Sequence, residues 1–412
     1  MNLVFAVICA LVQYTNGVGL EVIYQWKYLD WVWPNVPLTG SEFIFGNAFT
    51  QDVDVDKIGR VFVTSPRWLK GVPISLSTLS NLDGPGGPLL LPYPDWTWFV
   101  PNTCDSIISV YRVAIDECDR LWVVDSGRAE SKAVCPTKIL IFDLKTDQLI
   151  HKYVIPDYQT FSGKASLVTP IVEIGKSCMD AYLYIADVEQ NGIEIYDLKY
   201  DRSWRLNNTR GNAFGPDPET KAMFITIAGE QFDLTDGVLG MSLSPSGFFD
   251  KRYLYFNSLA SFYQKFTDVS SLKESLYKEP LVYQSIQKRS SQAGVQATSR
   301  RGVLFFQLVQ KTAIACWNIE KPFTPENIVT IAQDEEKLQY VSGIKVIVNK
   351  YGVEELWFNT NRLQKTINKT LRPDEINFRI IRGNVDEIIQ GTKCETSGHR
   401  NRAPDISSWQ QI

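Results

Sequence analysis

Residues 118–128 read CDRLWVVDSGR, an apolar run held between charged residues that stops at Asp-Ser-Gly. Five further segments repeat the pattern: GRVFVTSPR (59–67), DAYLYIADVEQNG (180–192), KRYLYFNSLAS (251–261), RGVLFFQLVQ (301–310) and EELWFNTNRL (354–363). Each is rich in Val, Leu, Tyr, Phe and Trp and is bounded by Gly, Asp, Asn or Ser, which is strand chemistry. The segments recur roughly every 50 to 70 residues, the spacing of one multi-stranded propeller blade with its loops. Further strands fit between them, among them AVCPTKILIFDL (133–144), GIEIYDL (192–198) and TAIACWNI (312–319). Helical periodicity is scarce, and SSLKESLY (270–277) is its clearest instance.

Six such clusters predict an all-β chain folded as a six-bladed β-propeller, whose radial repetition leaves only short sheet edges. A row of separate β-sandwiches would not need one motif written six times. The recurring segments are expected to be the inner strands, apolar where blades pack and polar where they reach the axial channel. Ring closure is expected from N- and C-terminal strands: VIYQWKYLDW (22–31) joins the last blade beside EINFRII (375–381). Cys394, just past that strand, is placed to tie the end back to Cys316.

Composition narrows the function. The chain has 412 residues, 44% hydrophobic and 21% charged, with a formal net charge of -4. Neither the balance nor any local Lys/Arg run offers a nucleic-acid footprint. Residues 1–19 read as a signal peptide, because the apolar run at 3–12 falls short of the ~20 residues of a membrane helix and small residues follow it. No later segment reaches that length, so a secreted protein without a transmembrane segment is expected. The propeller then spans 20–395, and the polar tail 396–412 is expected to be disordered. Once Cys9 leaves with the signal, six cysteines remain, an even number that favours disulfides in an exported chain. With two histidines, His151 and His399, and no Cys-x-x-Cys, neither a metal site nor a cofactor is expected. Asn207 and Asn368 open N-glycosylation sequons.

The same scarcity of histidine argues against triad hydrolysis, and no Gly-x-Ser-x-Gly elbow occurs. GPGGP (84–88) lacks the Lys-Ser/Thr of a phosphate loop and reads as a turn. DVDVD (52–56) lacks calcium-loop spacing and reads as a solvated strand edge. The polar ends of the recurring strands, Asp125, Asp187, Asn257, Asn359, Thr360 and Asn361, are expected to meet at one mouth of the channel. There they would either clasp neighbouring loops or rim a pocket with aromatic walls for a small amphipathic ligand.

The chain resembles the yellow / major royal jelly protein family of insects across residues 26–394. The motifs are YQWKYLDWVWP (24–34), GVPISLSTLS (71–80), GGPLLLPYPDW (86–96), ECDRLWVVDSG (117–127), IADVEQNGIEIYD (185–197), GVLGMSLSP (237–245) and EINFRIIRGNVDEIIQGTKC (375–394), all in family order. The resemblance implies a secreted six-bladed propeller with Cys118–Cys178 and Cys316–Cys394 disulfides, which leaves Cys104 to pair with Cys135. It implies a divided set of functions: cuticle pigmentation, dopachrome conversion, food and storage, and capture of biogenic amines. For amine capture Asn361 matches the salivary pattern, but Ile344 stands at its Thr position and Leu363 at its aromatic position. A hydrogen bond and a stacking surface are thereby lost, and weak serotonin or dopamine binding is expected. Dopachrome tautomerisation needs a positioned acid and base, for which Asp125 and Asp187 are the candidate catalytic residues. The resulting expectation is a secreted protein of melanin-related physiology that binds a catechol, indole, amine or lipid-like molecule. A dopachrome isomerase and a nutrient glycoprotein are the alternatives, and oligomer formation is left open.

Overall fold

A computed structural model of the chain describes residues 19–34, 43–44, 46–101, 103–207, 213–219, 223–396 and 403–412. The expected signal segment falls almost wholly outside them. Six antiparallel sheets form the blades. Blade 2 is typical, with strands Val110–Ile115, Arg120–Asp125, Lys138–Asp143 and Gln148–Val154 in sequence order from the axis outwards. The innermost strands of the other blades are Asp52–Val55, Leu167–Ile174, Val238–Leu243, Gln296–Thr298 and Tyr340–Val348. Each of these lies against the innermost strand of the next blade, and that of blade 6 returns to blade 1. The propeller is therefore a closed ring.

The recurring segments occupy the second position in every blade, not the first as expected from sequence. Burial explains both the pattern and the displacement. Leu121 and Val123 pack with Val53, Phe62 and Leu76 of blade 1, while Trp122 and Val124 pack with Leu183 and Ile185 of blade 3. A strand buried on both faces reads as a continuous apolar run. A strand beside the channel cannot, because one face meets a polar axis. Each large side chain so buried contributes about 1.5–3 kcal/mol relative to exposure.

Closure follows the expectation. Leu20–Trp26 pairs antiparallel with Phe378–Asn384, with Leu20 opposite Gly383 and Trp26 opposite Phe378, and so becomes the outer strand of blade 6. All three disulfides are present: Cys316–Cys394 with Cα atoms 6.1 Å apart, Cys118–Cys178 at 6.0 Å and Cys104–Cys135 at 5.4 Å. The second of these joins the first hairpin turns of blades 2 and 3.

The described tail residues 403–412 depart from the expected disorder. Trp409–Gln411 adds a fifth strand to blade 4, pairing antiparallel with Val282–Ser285. Trp409 is buried, with its ring 4.7 Å from Phe266 and 5.5 Å from Phe323, centroid to centroid. One anchoring aromatic outweighs the polarity of its neighbours. Among the described residues no helix is long and apolar enough to cross a membrane.

Candidate functional site

The ends of the second strands are clasps. Asp125, fully buried, accepts the amide protons of Ile108, Ser109 and Gly127 at 2.8, 2.9 and 3.0 Å and stands 3.2 Å from Lys138 Nζ. Asp187, equally buried, accepts from the amides of Ser166, Glu189 and Gln190 at 2.9, 3.1 and 3.1 Å. Its Oδ2 lies 2.7 Å from Arg205 Nη2, an ion pair in which the N–H is not aimed along the hydrogen-bond direction. Asn257 Nδ2 donates to Ala293 O at 2.7 Å, Asn359 Nδ2 to Ser342 Oγ at 2.6 Å and Asn361 Nδ2 to Thr50 O at 2.8 Å. Thr360 is buried in the ladder opposite Arg379. Ile344 packs with Phe305 and Phe358 in an apolar cluster between blades. Apart from Ile344, which lies on the innermost strand of blade 6, these residues stand one strand behind the axis and bind the blades to the segments leading into the inner strands. The expected convergence of Asp125 and Asp187 on the channel mouth is thus replaced by a fastening role, because both carboxylates are sealed from solvent.

The axis is lined by the inner strands. Asp52 and Asp54, expected on a solvated edge, are buried there. Lys345 Nζ lies 3.1 Å from Asp52 Oδ2 and 3.9 Å from Asp54 Oδ2, and it donates to Val113 O at 2.7 Å. Burial raises the Asp54 carboxyl to about 6, with Lys345 opposing the shift and Asp52 adding to it. Asp56 pairs instead with Arg60 at 2.6 Å.

Where the inner strands begin, a cavity of about 110 Å³ opens on the axis. Its walls carry the rings of Phe49, Trp68, Tyr111 and Tyr340, with Arg112 and Asp236 among them. Leu363 also lines it, the one expected ligand-binding residue that does. Arg112 is 2% exposed. Its Nε donates to Ser342 O at 2.9 Å and Nη1 to Thr169 Oγ1 at 3.2 Å, whereas Nη2 has no partner. Buried donors are normally satisfied, so this unmet one in the cavity wall stands out.

Asp236 is only half-buried by exposed area, since the mouth is open, but protein surrounds it closely. Burial raises its carboxyl to about 7, Glu189 adds to the rise and Arg112 opposes it. Glu189, at the rim, is held 2.8 Å from Arg128. Burial also raises the Tyr111 and Tyr340 phenols and lowers the Arg112 guanidinium. A carboxyl that titrates near neutrality beside a fixed cation is suited to moving protons at physiological pH.

Larger concavities lie elsewhere. A groove of about 350 Å³ follows the outer rim of blade 4, and an open dish of about 520 Å³ contains Arg362, Lys365, Glu336 and Glu375. The charges of the dish already pair with one another, Arg362 with Glu336 at 2.6 Å and Lys365 with Glu375 at 2.7 Å. The axial cavity alone among the three combines aromatic walls with an unsatisfied buried donor. Sequence reasoning missed Arg112 and Asp236. Arg112 left a signal, a lone charge inside the apolar strand VYRVAI, while Asp236 in LTDG looks like any turn residue.

Of the two sequons, Asn207 is exposed and its Oδ1 accepts from Arg205 Nε at 2.7 Å. Asn368 is exposed and its Nδ2 lies 3.2 Å from Glu230 Oε2.

Residues 108–394 match the family described as Major royal jelly protein. Major royal jelly protein 9 of Apis mellifera is 37% identical over 393 residues, covering 91% of this chain and 90% of that protein. Dopaminechrome tautomerase of Drosophila melanogaster is 34% identical over 401 residues, covering 91% of this chain and 84% of its own. Among solved structures, selenomethionine-substituted virginiamycin B lyase from Staphylococcus aureus aligns with 85% of this chain and 98% of that one, at 12% identity and a TM-score of 0.43.

Proposed function

The chain belongs to the yellow / major royal jelly protein family, and on that footing we propose that its axial pocket binds a small planar aromatic of the catechol or indole class and tautomerises it. The observation that carries this reading is Asp236, a carboxyl raised to about 7 and coupled to the buried Arg112 with its unpartnered Nη2. The first tautomerisation of an aminochrome, to its quinone methide, moves one proton from carbon to oxygen, with no net redox change. In its ionised form Asp236 takes the proton from carbon and returns it to the quinone oxygen, while the positive charge of Arg112 offsets the negative charge that develops there. The rings of Phe49 and Trp68 supply apolar walls for a flat guest. A cavity of about 110 Å³ is of single-ring size, so a two-ring guest would extend through its open mouth, and it is smaller than the ~300–1,000 Å³ of drug-sized sites. This argues against a sterol or an acyl chain. The relative that acts on dopaminechrome supports the same substrate class.

Three disulfides favour an oxidising compartment. We assign the activity outside the cell and, on the family's footing, to pigment-related chemistry. Decay of dopaminechrome followed with purified protein tests the reading. Asp236→Asn is expected to lower the rate by about 10²–10⁴-fold. The wild-type rate should rise with pH through about 7 as Asp236 ionises. Wild-type decay no faster than buffer, or an Asp236→Asn variant as fast as wild type, would overturn it.

A further inference from the structure

Close pairs keep most of the buried charge in balance: Lys138 with Asp125, Arg205 with Asp187, Lys345 with Asp52. Blade 4 breaks that rule at the loop between its second and third strands. Lys265 is 1% exposed and Arg289 is 3% exposed, and among the described residues neither has a carboxylate at ion-pair distance. Lys265 Nζ donates to Ala213 O at 2.8 Å. Arg289 donates from Nη1 to Gln264 Oε1 at 3.0 Å and from Nη2 to Ser261 O at 3.2 Å, while its buried Nε has no acceptor.

Asp217 is the carboxylate whose field acts on both cations, and its oxygens are already committed. One accepts from Ser261 Oγ at 2.8 Å and the other from the Phe262 amide at 2.9 Å. Across residues 208–222 the only other acid is Glu219, which pairs with exposed Lys288. The cluster therefore holds two cations against one anion. An uncompensated interior charge costs several kcal/mol. Burial pushes Lys265 down to about 8 and Arg289 down to about 9, the direction expected of cations short of a counter-charge.

We propose that a halide-sized monovalent anion, such as chloride, occupies this place, taking the free Arg289 Nε–H and completing the charge of Lys265. It acts as a structural ligand of the propeller, independent of the axial pocket.

Bromide and chloride are the probes. Crystals of the full chain grown in bromide should show an anomalous peak beside Arg289 Nε. The thermal unfolding midpoint, followed at constant ionic strength while gluconate is exchanged for chloride, should rise in the manner of a bound ligand. Lys265→Met removes one buried charge at similar volume and should abolish that dependence while the protein stays folded. Should that variant fail to fold, the wild-type bromide map and chloride titration decide alone. An ordered water in place of the peak together with a midpoint indifferent to chloride would overturn the proposal, as would an unchanged chloride response in Lys265→Met.

Discussion

Asp125 and Asp236 lie in one ring, a single strand apart in depth, and their surroundings are opposite. Asp125 takes three amide donors and a lysine in full burial. Among the described residues no side chain donates to Asp236, which shares its cavity with the incompletely satisfied Arg112. Saturation marks a fastening and leaves nothing for a guest, whereas an unmet valence beside an open mouth is what a ligand can use. The same residue type thus serves stability in one layer and chemistry in the next.

The largest effect expected from breaking that contrast is on stability. Asp125→Ala strands Lys138 and three amides in the interior and should cost about 3–5 kcal/mol. Asp236→Ala, at an open mouth, should change stability by under about 1 kcal/mol. Urea unfolding of the two variants checks this, and equal losses would erase the distinction. Next in size is the closure of the ring. Replacing Cys316 and Cys394 together by Ala should cost about 2–4 kcal/mol and lower the unfolding midpoint; no shift would mean that strand pairing at Leu20–Trp26 closes the propeller unaided.

A slope with pH is expected at Glu194, buried in blade 3 with neither carboxylate oxygen hydrogen-bonded. The Ser203 hydroxyl, which could serve it, is given to Gln159. Burial raises its carboxyl from 4.5 to about 8, with Arg205 opposing the rise. Between those values the folded chain holds the proton that the unfolded chain releases, so the contribution is full below 4.5 and is lost as pH rises towards 8. Glu194→Gln should therefore gain on wild type in unfolding midpoint as pH increases across that window. A gap constant with pH would show that Glu194 is ionised throughout.

These contrasts also show how much could be read in advance. The six runs such as LWVV and LYFN were legible because both faces of the second strands are buried, which writes an unbroken apolar signal into a few residues. The inner strands DVDV, VYRVAI and QAT share no pattern, since each fits its own part of a polar axis. Taking the conspicuous strands for the inner ones set Asp125 and Asp187 at the channel mouth and left Arg112 and Asp236 unremarked. The tail was opaque for a related reason. SSWQQI holds one apolar side chain before its last residue, and only the groove beside Phe266 and Phe323 gives Trp409 a place to bury.

By itself the chain's sequence determined the number of blades, the antiparallel strands within them and the pairing of the N-terminal strand with the last blade, because alternation, burial and turn chemistry act over a few residues and leave local marks. Which strand faces the axis, which carboxylate remains unsatisfied and where two cations share one acid were decided only in three dimensions. Those properties depend on what the other five blades bring to the same place, and no single segment carries that information.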